Sequence, residues 1–72
     1  MIKNHVKDIM DRQNKGIRPV ARETGLAINT VSGLYRDTSK RVDFETLDKL
    51  CRHLKVGTGE LIEYIEDEEA RP

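Results

Sequence analysis

Tryptophan is absent from this 72-residue chain, and phenylalanine and cysteine each occur once. A single cysteine closes no internal disulfide, which excludes the small secreted scaffolds that depend on several. Long apolar runs are missing as well. The longest is Leu26-Ala27-Ile28, against roughly 20 residues for a membrane helix. Met1-Ile2-Lys3-Asn4-His5 opens no apolar stretch of the kind a signal peptide needs. A cytoplasmic location is therefore expected, with no membrane contact. A surplus of one charge is also lacking, because 13 Lys and Arg balance 13 Asp and Glu.

What is present is aliphatic and charged. Leu, Ile, Val and Phe make up 18 of the 72 residues, above the roughly 20% below which disorder becomes the default. One small domain with a modest core is expected at this length. The charge is unevenly spread. Residues 1–42 carry nine basic and four acidic side chains, and residues 43–72 carry four and nine. A basic half attracts polyanions, and an acidic half is held away from them.

The apolar residues recur at helical spacing, and strand alternation is hard to find. Ile2, Val6, Ile9 and Met10 form one stripe of a first helix, closed by Gly16. A second helix over residues 17–24 turns Ile17, Val20 and Ala21 to one side, with Pro19 in the first turn, where a missing N–H costs nothing. Gly25 follows where a helix end tolerates the left-handed conformation. A third helix over 28–36 turns Val31, Leu34 and Tyr35 inward. After a polar loop, Asp43 caps a fourth helix with the stripe Phe44, Leu47, Leu50, Cys51 and Leu54. Gly57 ends it, and Thr58 caps a short fifth helix containing Leu61, Ile62 and Ile65. The expectation is an all-α, compact five-helix domain over residues 1–65. Residues 66–72 are read as an acidic flexible tail.

The segment from Ile17 to Tyr35 has the spacing of two helices joined by a tight turn at roughly a right angle. Ala21 is small where the helices come closest, Gly25 takes the turn, and Leu26 fills the gap between them. Val31 and Leu34 hold the second of the two on the core. On Val20-Ala21, Gly25-Leu26, Val31-Ser32 and Leu34, the chain strongly resembles the lambda-repressor-like (Cro-type) helix-turn-helix family of DNA-binding regulators. The resemblance extends through Val42 to Cys51 and Gly59 to Tyr64, and covers about residues 2–65.

The resemblance implies that helix 28–36 enters the major groove of double-stranded DNA. At about 100° per residue, Asn29, Ser32, Gly33 and Arg36 fall on the face opposite Val31. Asn suits adenine edges, and Arg suits guanine edges or phosphate. Glycine in that row would allow close approach. The start of the helix, Ala27, Ile28 and Thr30, is placed in the same interface. Ala27 stands where family members often have a capping Ser or Thr. Ile28 stands where they often have a polar residue, and its place near Tyr35 on the wheel favours core packing over contact with a thymine methyl. Ile17 occupies a common Gln position, leaving Arg18 to take up phosphate contact. Thr38, Ser39, Lys40 and Arg41, in the loop that follows, would hold the sugar-phosphate backbone without reading sequence.

Catalytic patterns are not found. Cys51 and His53 are two apart on a helix and point to different faces, so they cannot share a metal. His5 is isolated, and there is no phosphate loop, nucleophile elbow or zinc-ligand spacing. The expected function is sequence-specific transcriptional regulation, as a repressor or autoregulator, without catalysis, cofactor or small-molecule ligand. The alternative is a protein-interaction module on the same fold that has lost DNA binding, which the acidic second half and the apolar Ala27-Ile28 favour. One reading helix covers only about 4–5 base pairs. A weak homodimer is therefore expected, with Ile62, Tyr64 or Ile65 in contact.

Overall fold

A strand, β1 (Ile2–Asn4), opens the chain, and the helices α1 (Val6–Arg12), α2 (Ile17–Thr24), α3 (Ile28–Tyr35), α4 (Phe44–Leu54) and α5 (Thr58–Leu61) follow before a second strand, β2 (Ile62–Tyr64). The structure is a computed structural model that describes residues 1–66. The acidic tail expected over 66–72 thus lies, apart from Glu66, outside the described residues.

The two strands pair antiparallel, with Ile2 opposite Tyr64, Lys3 opposite Glu63 and Asn4 opposite Ile62. The five helices of the expected all-α domain are present, and this strand pair is an addition to them. Ile2 belongs to a strand and not to the first helix, and neither Ile62 nor Ile65 continues the fifth helix. The reason is a main-chain ladder between distant segments. The His5 N–H donates to the Leu61 carbonyl at 2.8 Å, and the Ile65 N–H donates to the Met1 carbonyl at 2.8 Å.

Each helix end has an identifiable cause. Asn4 starts α1, its Oδ1 accepting the Val6 N–H at 2.8 Å. Pro19 is the third residue of α2, in the first turn, and Gly25 ends that helix at φ +77° while its N–H donates to the Ala21 carbonyl. Ala27 precedes α3 in extended backbone and makes no side-chain cap. Asp43 caps α4, accepting the Thr46 N–H at 2.9 Å. Gly57, not Thr58, occupies the cap position of α5.

The core gathers Val6, Ile9 and Met10 of α1, Val20 and Ala21 of α2, Val31 and Leu34 of α3, Leu50 and Leu54 of α4, and Leu61. Leu47 and Cys51 pack against it, but Phe44 does not and is 88% exposed. On the α4 wheel the buried arc is centred on Leu50, and Phe44 lies about 120° away from it. Thr46, only about 40° from Leu50, is buried instead. Among the described residues no helix is long and apolar enough to cross a membrane.

Candidate nucleic-acid interface

The α2–turn–α3 unit leaves one side of α3 uncovered. Val31 and Leu34 are buried against the core, Tyr35 is half-buried, and Asn29 and Arg36 are exposed on the far side. Ser32 and Gly33 are half-buried in the same outer row, and Thr30 is half-buried beside it. Ala27 and Ile28 are both exposed. Ile28 is 46% exposed, which corrects the expectation that it packs inward. As the first residue of α3 it lies about 120° around the wheel from Leu34, too far to follow it into the core.

Ser32 and Arg36 are joined one turn apart. The Arg36 Nε donates to the Ser32 Oγ at 3.1 Å, which lays the guanidinium along the outer face of the helix. Gly33 also lies against the loop that follows α3. A Cβ on Gly33 would collide with the Ser39 Oγ, because the loop after α3 folds back onto it. The Gly33 carbonyl accepts the N–H of Thr38 at 2.9 Å and that of Ser39 at 3.2 Å. Thr38, Ser39, Lys40 and Arg41 are all exposed, and this return brings their loop against the outer row of α3.

The orientation of α3 is fixed from behind. Asn4 donates through Nδ2 to the Leu34 carbonyl at 2.8 Å and contacts Asp37 Oδ1 at 3.4 Å. Tyr35 donates its hydroxyl to Asp11 Oδ1 at 2.8 Å, and Lys7 holds the other oxygen of that carboxylate at 2.9 Å. The Lys7 ammonium also lies 5.5 Å from the centre of the Tyr35 ring. The Lys7 and Tyr35 hydrogen bonds pull the Asp11 carboxyl below its ordinary value, and the bond to Asp11 raises the Tyr35 hydroxyl. The sequence reading did not single out Asn4. Its signal was available, since an Asn just ahead of an apolar periodic run is a helix-start residue. The Tyr35–Asp11 link joins residues whose separation carries no local pattern.

The electrostatics of this side are one-sided. Between Gly16 and Val42 the only acids are Glu23 and Asp37. Glu23 faces His53 of α4 at 3.5 Å, and Asp37 meets Asn4. Arg18 and Arg22 of α2, with Arg36, Lys40 and Arg41, are exposed and form no ion pair among the described residues. Exposed cations of this kind attract a polyanion. No group of three or more His, Cys, Asp or Glu is placed to hold a metal ion among the described residues. Cys51 Sγ lies 3.8 Å from the Thr58 hydroxyl, on the opposite flank of α4 from Thr46.

Residues 5–67 match the family model of the Cro/C1-type HTH DNA-binding domain. The chain belongs to that family. Among solved structures, this Cro/C1-type domain resembles the crystal structure of a Bacteroides fragilis protein described as "a putative DNA-binding protein". The two are 25% identical with a TM-score of 0.75, over 88% of this chain and 100% of the other. No curated protein matches the chain.

Proposed function

We propose that the chain is a sequence-specific DNA-binding transcriptional regulator, acting in the cytoplasm as a repressor or autoregulator and without catalysis. Residues 1–65 form the binding domain in this reading. The observation that carries it is the outer face of α3, where Asn29 and Arg36 stand exposed together with Lys40 and Arg41, cations that form no ion pair among the described residues. Membership of the Cro/C1-type family supports it.

In this account α3 lies in the major groove. Asn29 bonds a base edge, with adenine its best geometric match, and Arg36 reaches a guanine or a phosphate from its seat on Ser32. Ala27, Ile28 and Thr30 line the groove at the start of the helix, where the exposed Ile28 meets a thymine methyl. Arg18 at the start of α2, with Thr38, Ser39, Lys40 and Arg41, holds phosphates on either side. Gly33 acts indirectly, by letting the 38–41 loop sit close to α3. Two copies on inverted half-sites supply the specificity that one short helix lacks.

Selection of bound duplexes from a random pool tests this. Enrichment of a defined motif is expected, and its loss in Asn29→Ala is expected with it. The exposed Ile28 favours a second reading, in which the same face docks a protein. A pool that yields no motif, with no salt-dependent DNA binding, would overturn the first reading and leave the second.

A further inference from the structure

Between the β1–β2 sheet and the segment from Asp37 to Val42 lies a cleft of about 350 Å³, at the lower end of the roughly 300–1,000 Å³ of small-molecule sites. Its inner surface is aliphatic. Leu34 is buried, Val42 and Ile62 are half-buried, and Ile2, 65% exposed, forms an outer wall. No aromatic side chain lines the cleft, so it seats a run of methylenes but gives a flat ring no stacking partner. Lys40 and Arg41 line it too, and both are exposed and form no ion pair among the described residues. The one acid in the lining is Asp37, which contacts the Asn4 amide at 3.4 Å. Asn4 itself is occupied by the Leu34 carbonyl and the Val6 N–H. An aliphatic interior with a net positive mouth fits a ligand with an apolar tail and one anionic head.

We propose that this cleft binds a medium-chain aliphatic carboxylate, with its tail on Ile2, Leu34, Val42 and Ile62 and its head group at Lys40 and Arg41. In the reading above the same two cations hold phosphate, so bound carboxylate and DNA compete for them. The ligand is then an effector that releases the chain from DNA. This competition rests on the DNA reading, and occupancy of the cleft does not. An exposed ion pair contributes little, so burial of the tail supplies most of the affinity. With so few atoms, Kd falls at about the millimolar level. No local pattern in the sequence announces the site. Its aliphatic residues come from β1, α3, the segment before α4, and β2, and they meet only in the folded chain.

The test begins without DNA, so that the two readings can fail separately. The full chain is titrated with sodium octanoate, and amide shifts are followed by nuclear magnetic resonance. The controls are 1-octanol, a tail without charge, and sodium acetate, a charge without a tail. Octanoate is expected to shift the lining residues saturably, with affinity rising by roughly two- to fourfold per methylene from butanoate. Octanol should bind more weakly by roughly threefold or more, and acetate should not saturate. In the Lys40→Ala/Arg41→Ala variant, octanoate should fall to the level of octanol, and octanol should be unchanged. Ile2→Asn should weaken both by about fourfold or more with its helical circular dichroism retained. If Ile2→Asn does not fold, the loop variant decides alone. With a duplex present, octanoate and not octanol is expected to release the chain. Shifts that spread over the surface without saturating, or equal binding of octanoate and octanol, would overturn the proposal. So would concentration-dependent shifts of the same residues without ligand, which would seat a second copy of the chain there. Octanoate that saturates the cleft without weakening DNA binding would overturn the competition. Saturable octanoate binding by a chain that binds no DNA would uphold the cleft and overturn the reading of α3 instead.

Discussion

At φ +77°, Gly25 holds the backbone in the left-handed region, and no atom lies within 4 Å of where its Cβ would stand. Any substitution there is therefore penalised by conformation and not by crowding. Gly25→Val is expected to destabilise the fold by about 2 kcal/mol, since a side chain in this region costs roughly 1–2 kcal/mol and a β-branched one fits worst. Thermal melting checks this, and an unchanged Tm would show that the turn is built differently. Gly33 presents the opposite situation, with open conformation but a neighbour in the way. Gly33→Ala must turn the Ser39 hydroxyl aside, a side-chain rotation at the start of the loop bearing Lys40 and Arg41, while the Ser39 Cβ stays at an ordinary 3.7 Å. The expected result is modestly weaker binding to every duplex, with recovery in the Gly33→Ala/Ser39→Ala double variant. If the double variant stays as weak as Gly33→Ala, the glycine serves close approach to DNA, as its place on the wheel first implied.

The helices are held by a few polar links whose strength depends on pH. Asp43 at the start of α4 is pulled below its ordinary carboxyl value by the hydrogen bonds from Thr46, and Asp11 by those from Lys7 and Tyr35. A carboxyl with a depressed folded value adds stability that is complete above its unfolded value and is lost as pH falls through the folded one. Thermal stability is therefore expected to hold from neutrality to about pH 5 and to fall below about pH 4. Asp43→Asn keeps a capping acceptor without a titrating group, so its acid loss should be shallower. An equal loss in both proteins would remove Asp43 from this account. The same elements show what sequence can carry. The α2–turn–α3 unit was legible because Ala21, Gly25, Leu26, Val31 and Leu34 act within one local segment. The spacing of Ile2 and Val6 mimicked a helix because nothing local reveals that Ile2 lies opposite Tyr64. Phe44 continued a stripe by count while lying off the centre of the buried arc. Within the site, the outer row of α3 followed from the helical period alone. The fold-back of Ser39 onto Gly33 and the Tyr35–Asp11 anchor required the assembled chain.

At the scale of the whole molecule, the uneven charge divides the chain into a basic and an acidic half. Arg18, Arg22, Arg36, Lys40 and Arg41 cluster on the α2, α3 and loop segments, and the acidic surplus lies in residues 43–72. If α3 reads DNA as proposed, this asymmetry favours approach with α3 forward. On a duplex carrying two inverted half-sites, ultracentrifugation is expected to show two chains per duplex, and a strictly 1:1 complex would contradict paired reading. The central claim is that α3 reads while the loop after it holds. Its most direct test is a titration of wild type, Asn29→Ala and Lys40→Ala against specific and random duplexes at several salt concentrations. Asn29→Ala is expected to lose about 1–3 kcal/mol on the specific duplex and little on the random one. Lys40→Ala should weaken both alike and lower the salt slope by about one. Equal weakening of both duplexes by Asn29→Ala, with a change of sequence preference in Lys40→Ala, would contradict the account.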